Sequence, residues 1–270
     1  MLIRTLKMTF WVVYDHLGKL LAANLLCALW VAAPALLAFR MMQSGNAAQT
    51  FYVGVPLLLL IPVAVIPLAQ AGMLWMVKEL IEKHDGSLKT FFAGIRKFWG
   101  RAIIIGVLMA FFSLCLLISV WFYGARLGGV APVFGYALSA AALWAQILLL
   151  LASLLVLPAL VNKNGGVADS FKTAAVLIID NPLFAAGVGA HAALLLAFCV
   201  APPVFLFFSF APLAALQGSA YEMLSRKYAA IQAHIAAGGK HDKTCVIDFG
   251  DDNDEYLCRG FRDLLFPWKE

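Results

Sequence analysis

The sequence predicts an all-α integral membrane protein: six transmembrane helices forming three hairpin repeats, each preceded by an amphipathic helix on the inner face. Three observations predict it. Apolar residues make up 63% of the 270-residue chain and charged residues only 13%, against about 45–50% and about 25% in an ordinary soluble domain. The charges are gathered rather than spread: residues 20–39, 41–77, 102–125, 127–162 and 181–221 contain no Asp, Glu, Lys or Arg. Each run exceeds the ~18 apolar residues a helix needs to cross hydrocarbon, and none alternates with the period of a barrel strand. A water-soluble globule, a disordered chain and a disulfide-rich secreted domain are thereby excluded.

Four spans follow directly, at 20–39, 53–77, 102–123 and 133–161. The stretch 183–221 is too long for one upright helix, because at 1.5 Å per residue it reaches ~58 Å against a hydrocarbon core of ~30 Å. Pro202 and Pro203 sit at its midpoint. Two prolines in a row delete two donors and crowd the preceding turn, so the stretch divides into spans at 183–200 and 204–221. The distribution of positive charge tests this count. With six spans and the N-terminus inside, 18 of the 20 Lys and Arg residues and all 15 Asp and Glu residues lie on the inner side, leaving Arg40 and Arg126 outside. With five spans the split falls to 11 against 9 and the bias disappears. The formal charge of +5 is then topology signal and attraction to an anionic leaflet; no nucleic-acid-binding motif is present. Residues 1–237 thus read as a membrane domain and 238–270 as a cytoplasmic acidic tail. The first apolar run is long enough to span, so no cleaved leader is expected.

An amphipathic stretch precedes each odd-numbered span. Ile3, Leu6, Phe10, Val13 and Leu17 recur at helical spacing; Leu88, Phe91, Ile95 and Phe98 do so opposite Lys89, Arg96 and Lys97; Val167, Phe171 and Ile178 lie opposite Asp169 and Lys172. Such helices lie in the interface with one face in the acyl region. Thr9-Phe10, Thr90-Phe91 and Ser170-Phe171 are 81 and 80 residues apart, with a turn expected after each helix at Gly18, Gly100 and Asn181-Pro182. Pro67, Pro158 and Pro212 fall in the inner halves of the even spans. The repeat unit is interfacial helix, span, short outer turn, span, and such units must stack to bury their faces.

Polar residues inside the spans are few. Asn24, Gln70, Gln146, His191 and Gln217 form the candidate polar pocket; the competing reading of each is a hydrogen bond between packed helices. Pro56, Pro62 and Pro67 add helical discontinuities that free carbonyls. Gly187 and Gly189 read as helix-packing positions. No acid lies at mid-membrane, which disfavours a proton-driven carrier. Among the five cysteines, Cys245 and Cys258 share the tail with His234 and His241, but neither CxxC nor HExxH occurs, so no metal, cofactor or catalytic constellation is expected. The run from Asp251 to Glu255 reads as a solvated acidic segment or a helix start. After it, Tyr256, Leu257, Phe261, Leu264, Leu265 and Trp268 share one face of a short helix. That face either folds back on the inner collar or docks a membrane or cytosolic protein partner.

Tyr14-Asp15-His16-Leu17-Gly18-Lys19-Leu20, with Asn24-Leu25-Leu26 and Pro34, resembles the opening of the YesL-like family of bacterial polytopic membrane proteins. The basic aromatic stretch 91–101, Pro158 and Asp180-Asn181-Pro182 are similar to later features of that family, so the resemblance covers roughly residues 1–230. It implies a multi-pass protein of the bacterial inner membrane, associated with carbohydrate uptake systems, and brings no catalytic residues. The expected function is that of a non-enzymatic accessory or scaffold protein in the bilayer, possible partners being a transporter and whatever the tail docks. The alternative is a transporter or binding protein for a lipid or small solute, using an inward-facing polar pocket.

Overall fold

The computed structural model describes residues 1–236, 254–260 and 263, and every regular element among them is helical. In chain order these are α1 (Leu2–Asp15), α2 (Leu17–Gln43), α3 (Ala47–Lys83), α4 (Leu88–Leu127), α5 (Pro132–Lys163), α6 (Val167–Asp180), α7 (Pro182–Phe198), α8 (Pro202–Phe208), α9 (Phe210–Ala236) and α10 (Glu255–Cys258). Four of them, α2 to α5, are long and apolar enough to cross a membrane, and the bent pair α6–α7 makes a fifth if counted as one span.

Local chemistry explains most of the boundaries. α1 and α2 part at His16, whose φ of −114° leaves the helical region. α3 ends at His84 and α5 at Asn164, both left-handed at φ 53° and 51°, the conformation that closes a helix by returning an N–H to its last turn. Those N–H groups bond the carbonyls of Leu80 and Leu160. Ser87 starts α4 with reciprocal bonds to Thr90. Asn46 starts α3 by accepting from the amides of Ala48 and Gln49. α6 meets α7 at Asn181 with a bend of 107°.

Two expected turns are corrected: the first falls at His16, and Gly18 lies inside α2. No turn follows Gly100: the stretch 91–101 and the third apolar run are one helix, unbroken from Leu88 to Trp121. A Cβ at Gly100 would have no neighbour within 4 Å, and an interior glycine costs only ~1 kcal/mol of helix propensity, so nothing forces a break. The prolines of α3 do not break it either. The helix widens to π-turns at Thr50–Gly54 and Ile61–Val65, which absorb the missing donors. The last apolar run does divide, and Pro202 and Pro203 open α8, where a missing N–H is harmless. A second break falls at Ser209, which the spacing of prolines does not reveal.

The core is not central along the bundle. Its largest cluster joins residues 69–80 of α3, Phe91, Phe98 and Ile105 of α4, residues 155–161 of α5, and Phe210, Ala211 and Ala214 of α9. All of this lies toward the end where α1, the two left-handed turns and α10 gather, hereafter the charged end. α3 and α4 approach backbone to backbone there. Pro67 has no N–H for the carbonyl of Val63, and a Cβ at Gly106 would collide with that carbonyl and with the Pro67 ring. Gly94 fits similarly against Gly72. Gly187 faces Leu2 and Gly189 faces Leu151, so both pack helices.

Candidate functional site

The break at Ser209 creates the site. A helix start leaves its first N–H groups without intrahelical partners, and α9 starts in apolar surroundings. Two of its amides, those of Phe210 and Ala211, donate to Oδ1 of Asn24 on α2, at 2.7 and 2.9 Å. Pro212 has no N–H to satisfy. Asn24 therefore caps a helix 186 residues away, doing from another helix what an N-cap residue does locally.

Two turns further along α9, Gln217 lies against α3. Gln70 Nε2 donates to Gln217 Oε1 at 2.7 Å, and both side chains are buried. The pair forms part of the wall of a cavity of about 320 Å³. α3, α4, α5, α7, α8 and α9 all contribute to it, with Pro67, Gly106, Met109, Leu157, Phe205 and Leu213 supplying apolar surface. One bond between two primary amides leaves the carbonyl oxygen of Gln70 and both N–H groups of Gln217, and these have no other partner among the described residues. Ser209 also lines the cavity, and its hydroxyl is buried without a hydrogen bond among the described residues. An orphaned hydroxyl costs about 1–3 kcal/mol. Among the described residues no Asp, Glu, Lys, Arg or His lines this space.

Of the five predicted pocket residues, then, Gln70 and Gln217 meet at a cavity, and Asn24 caps the backbone of Phe210, which lines it. The other two are elsewhere. Gln146 Nε2 donates to Ser113 Oγ at 2.9 Å between α5 and α4, and the His191 ring bonds the Gly187 carbonyl one turn back, at 2.8 Å. A polar residue in a span signals a partner but not which one, so periodicity could not separate the five. Ser209 and Gly106 were missed: the first looks like any serine until the helix breaks there, the second like any interior glycine until α3 is laid against it.

The tail folds back on the charged end. Asp254 caps α10, accepting from the amides of Tyr256 and Leu257 at 2.9 and 3.1 Å, and pairs with Arg226 at 2.6 Å. The acidic run is thus a helix start at its last Asp. Tyr256 and Leu257 are buried against Met8, Trp11 and Val12 of α1 and Met223 of α9. The Tyr256 hydroxyl donates to the Leu80 carbonyl at 3.2 Å and lies 3.0 Å from His84 Nδ1 and 3.3 Å from His16 Nε2. Burial pushes this phenol well above its usual range. Burial first, then Lys19, pushes the His16 imidazole below 6.5. Arg259 pairs with Asp15 and Glu255, and Lys7 donates to the Leu257 carbonyl. Two of the predicted partner-docking residues are therefore engaged within the chain; Phe261, Leu264, Leu265 and Trp268 lie outside the described residues.

Among the described residues no three His, Cys, Asp or Glu side chains converge as a metal site would require. No family model matches the chain, and no curated protein or solved structure matches it either.

Proposed function

We propose that the chain is a non-enzymatic, multi-pass protein of a bacterial inner membrane that holds an uncharged amphiphile between its helices. The observation that carries this reading is the Gln70–Gln217 pair on the wall of the 320 Å³ cavity. That size falls within the ~300–1,000 Å³ of ligand pockets, which are apolar with a few oriented polar groups. The spare carbonyl and N–H of the amide pair suit a hydroxyl, ester or amide on the ligand. The lack of a charged side chain among the described lining residues disfavours an ion, since a bare charge in this setting would cost several kcal/mol.

Cys199 lines the same cavity and provides the test. In a variant keeping Cys199 as its sole cysteine, reconstituted in nanodiscs, a monoacylglycerol is expected to slow the reaction of that thiol with a small maleimide. Met109→Trp, which fills the space, is expected to abolish the protection. An unchanged labelling rate with and without monoacylglycerol would remove the reading.

The second reading, an accessory or scaffold protein serving a carbohydrate transporter, draws on the YesL-like resemblance and on the broad apolar surface of α4 and α5. Tyr256 and Leu257 do not favour it, because they are buried within the chain. A partner that copurifies in gentle detergent and is released by deleting 245–270 would restore it.

Six crossings with both termini cytoplasmic, built from three repeated units, complete the proposal. α7 packs on α9 through Val188, Ala192, Leu216 and Ala220, as two arms of a hairpin would. The left-handed turns at His84 and Asn164 are followed, three and two residues on, by helix starts bonded across three residues, Ser87–Thr90 and Gly166–Asp169. Cysteine-accessibility labelling of positions 45 and 129 from outside, with 85 and 165 protected, is the expected pattern.

A further inference from the structure

A second concavity, of about 770 Å³, lies at the charged end between the last turn of α5, the face of α6 and α9. It shares no lining residue with the intramembrane cavity. Its cations are Lys163 and Lys172. Lys163 Nζ donates to Thr173 Oγ1 at 3.1 Å, which lays that side chain along α6. Lys172 has no ion pair among the described residues. The acid in the wall, Asp169, is engaged, its Oδ2 accepting from the Gly166 amide at 3.3 Å.

Tyr221 gives the groove its direction. The residue is 7% exposed and lines the groove, yet its hydroxyl makes no hydrogen bond among the described residues. Its ring is enclosed, but its oxygen is not among the enclosed atoms that lack a partner, so the hydroxyl opens onto the groove. An accessible O–H with no hydrogen-bond partner among the described residues and two ammonium groups thus face one space, over an apolar floor of Val176 and Leu177. The 107° bend at Asn181 sets α6 across the line of α7. If α7 enters the hydrocarbon, α6 runs along the surface, and the groove opens at headgroup level.

We infer that this groove binds the phosphate of an anionic phospholipid. Phosphate oxygens accept from Lys163, Lys172 and the Tyr221 hydroxyl, and the glycerol and first acyl carbons lie over Val176 and Leu177. Charge-assisted bonds to phosphate are among the stronger hydrogen bonds, and basic pockets between helices at the cytoplasmic face hold lipid headgroups in this way. Free phosphate offers the same oxygens, but it would leave the apolar floor uncovered. The inference rests on the membrane reading above and is independent of the amphiphile in the cavity.

The test uses the full chain in phosphatidylcholine vesicles, with trace spin-labelled phosphatidylglycerol or phosphatidylcholine. The fraction of immobilised label is read by electron paramagnetic resonance. Phosphatidylglycerol is expected to be preferred about fivefold or more, since each lysine near a headgroup is worth about 1 kcal/mol. Lys163→Gln with Lys172→Gln is expected to bring the ratio to about 1. Tyr221→Phe, which keeps the ring and the fold, is expected to lower it about twofold by deleting one hydrogen bond. Lys89→Gln with Arg96→Gln, charges of α4 outside the groove, is expected to leave it unchanged. A ratio indifferent to the groove lysines, or one lowered equally by the α4 pair, overturns the inference, as does inorganic phosphate binding without lipid preference. Immobilised neutral lipid reports insertion itself. A failure of the membrane reading, with no lipid immobilised, is therefore distinct from a failure of the groove, with lipid immobilised but unselected.

Discussion

At the charged end Met73, Met76, Leu80, Phe91, Phe98 and Leu160 lose all exposure, while further along α4 and α5 Phe111, Trp121, Phe134 and Trp144 stay 58% exposed or more. Both regions consist of long apolar helices. They differ in what fills the space beside each helix. At the charged end α1, the first part of α4, α9 and α10 crowd around α3, and glycines let backbones touch. Toward the other end α4 and α5 run on as a hairpin whose outward faces meet no protein. For an apolar side chain in hydrocarbon, lipid and protein are similar surroundings, so composition is high in both regions while packing is not. Hydropathy locates the helices but not the core.

Substitutions that separate the two regions sharpen this contrast. The largest effect is expected from Phe98→Ala, about 3–5 kcal/mol of lost stability from transfer and cavity terms, read as a lower midpoint of thermal unfolding in mild detergent. Phe111→Ala is expected to leave that midpoint unmoved. Equal losses at the two positions would break the comparison. Next is the glycine pair. Gly106→Ala drives a methyl into the Val63 carbonyl and the Pro67 ring and is expected to cost about 1–3 kcal/mol. Gly100→Ala meets nothing and is expected to gain up to about 1 kcal/mol of helix propensity. Asn24→Ala removes the cap from α9 and is expected to cost about 1–2 kcal/mol, with faster hydrogen exchange at Phe210 and Ala211 as its local signature.

The smallest effect is a pH dependence of the tail. His16 has its folded pKa lowered below 6.5, chiefly by burial, so the undocked state binds the proton more readily. Its contribution is full above pH 6.5 and is lost as pH falls below that value. Lys19 and His84 oppose its protonation, and Asp15 and Glu255 favour it. Protection of the Tyr256 and Leu257 amides is expected to weaken on acidification from pH 7.5 to 5.5, and less so in His16→Asn. Protection that rises instead would overturn this assignment to His16.

What the sequence revealed and what it hid follow one division. Helices, and the bend at Asn181-Pro182, rest on local patterns and were legible. The missing turn at Gly100 was not, because a lone glycine permits a turn without requiring one, and the helix on both sides continues. The five polar span residues looked equivalent, since a polar side chain in an apolar run carries no address. Gln70 met Gln217, Gln146 met Ser113 and His191 turned back on its own helix; only the packed arrangement decides among these. The cap on α9 joins residues 186 apart, a separation that no periodicity encodes.

That cap also bears on biogenesis. Synthesis runs from the N-terminus, so α2 is made long before α9 leaves the ribosome. With α9 crossing the bilayer as proposed, its start left alone in hydrocarbon would carry two bare amides at several kcal/mol each; beside α2 it finds an acceptor already waiting. Under the proposed six crossings, joining the finished bundle is thus the route by which α9 becomes comfortable in oil, and removing α2 is expected to leave it stalled at the water's edge.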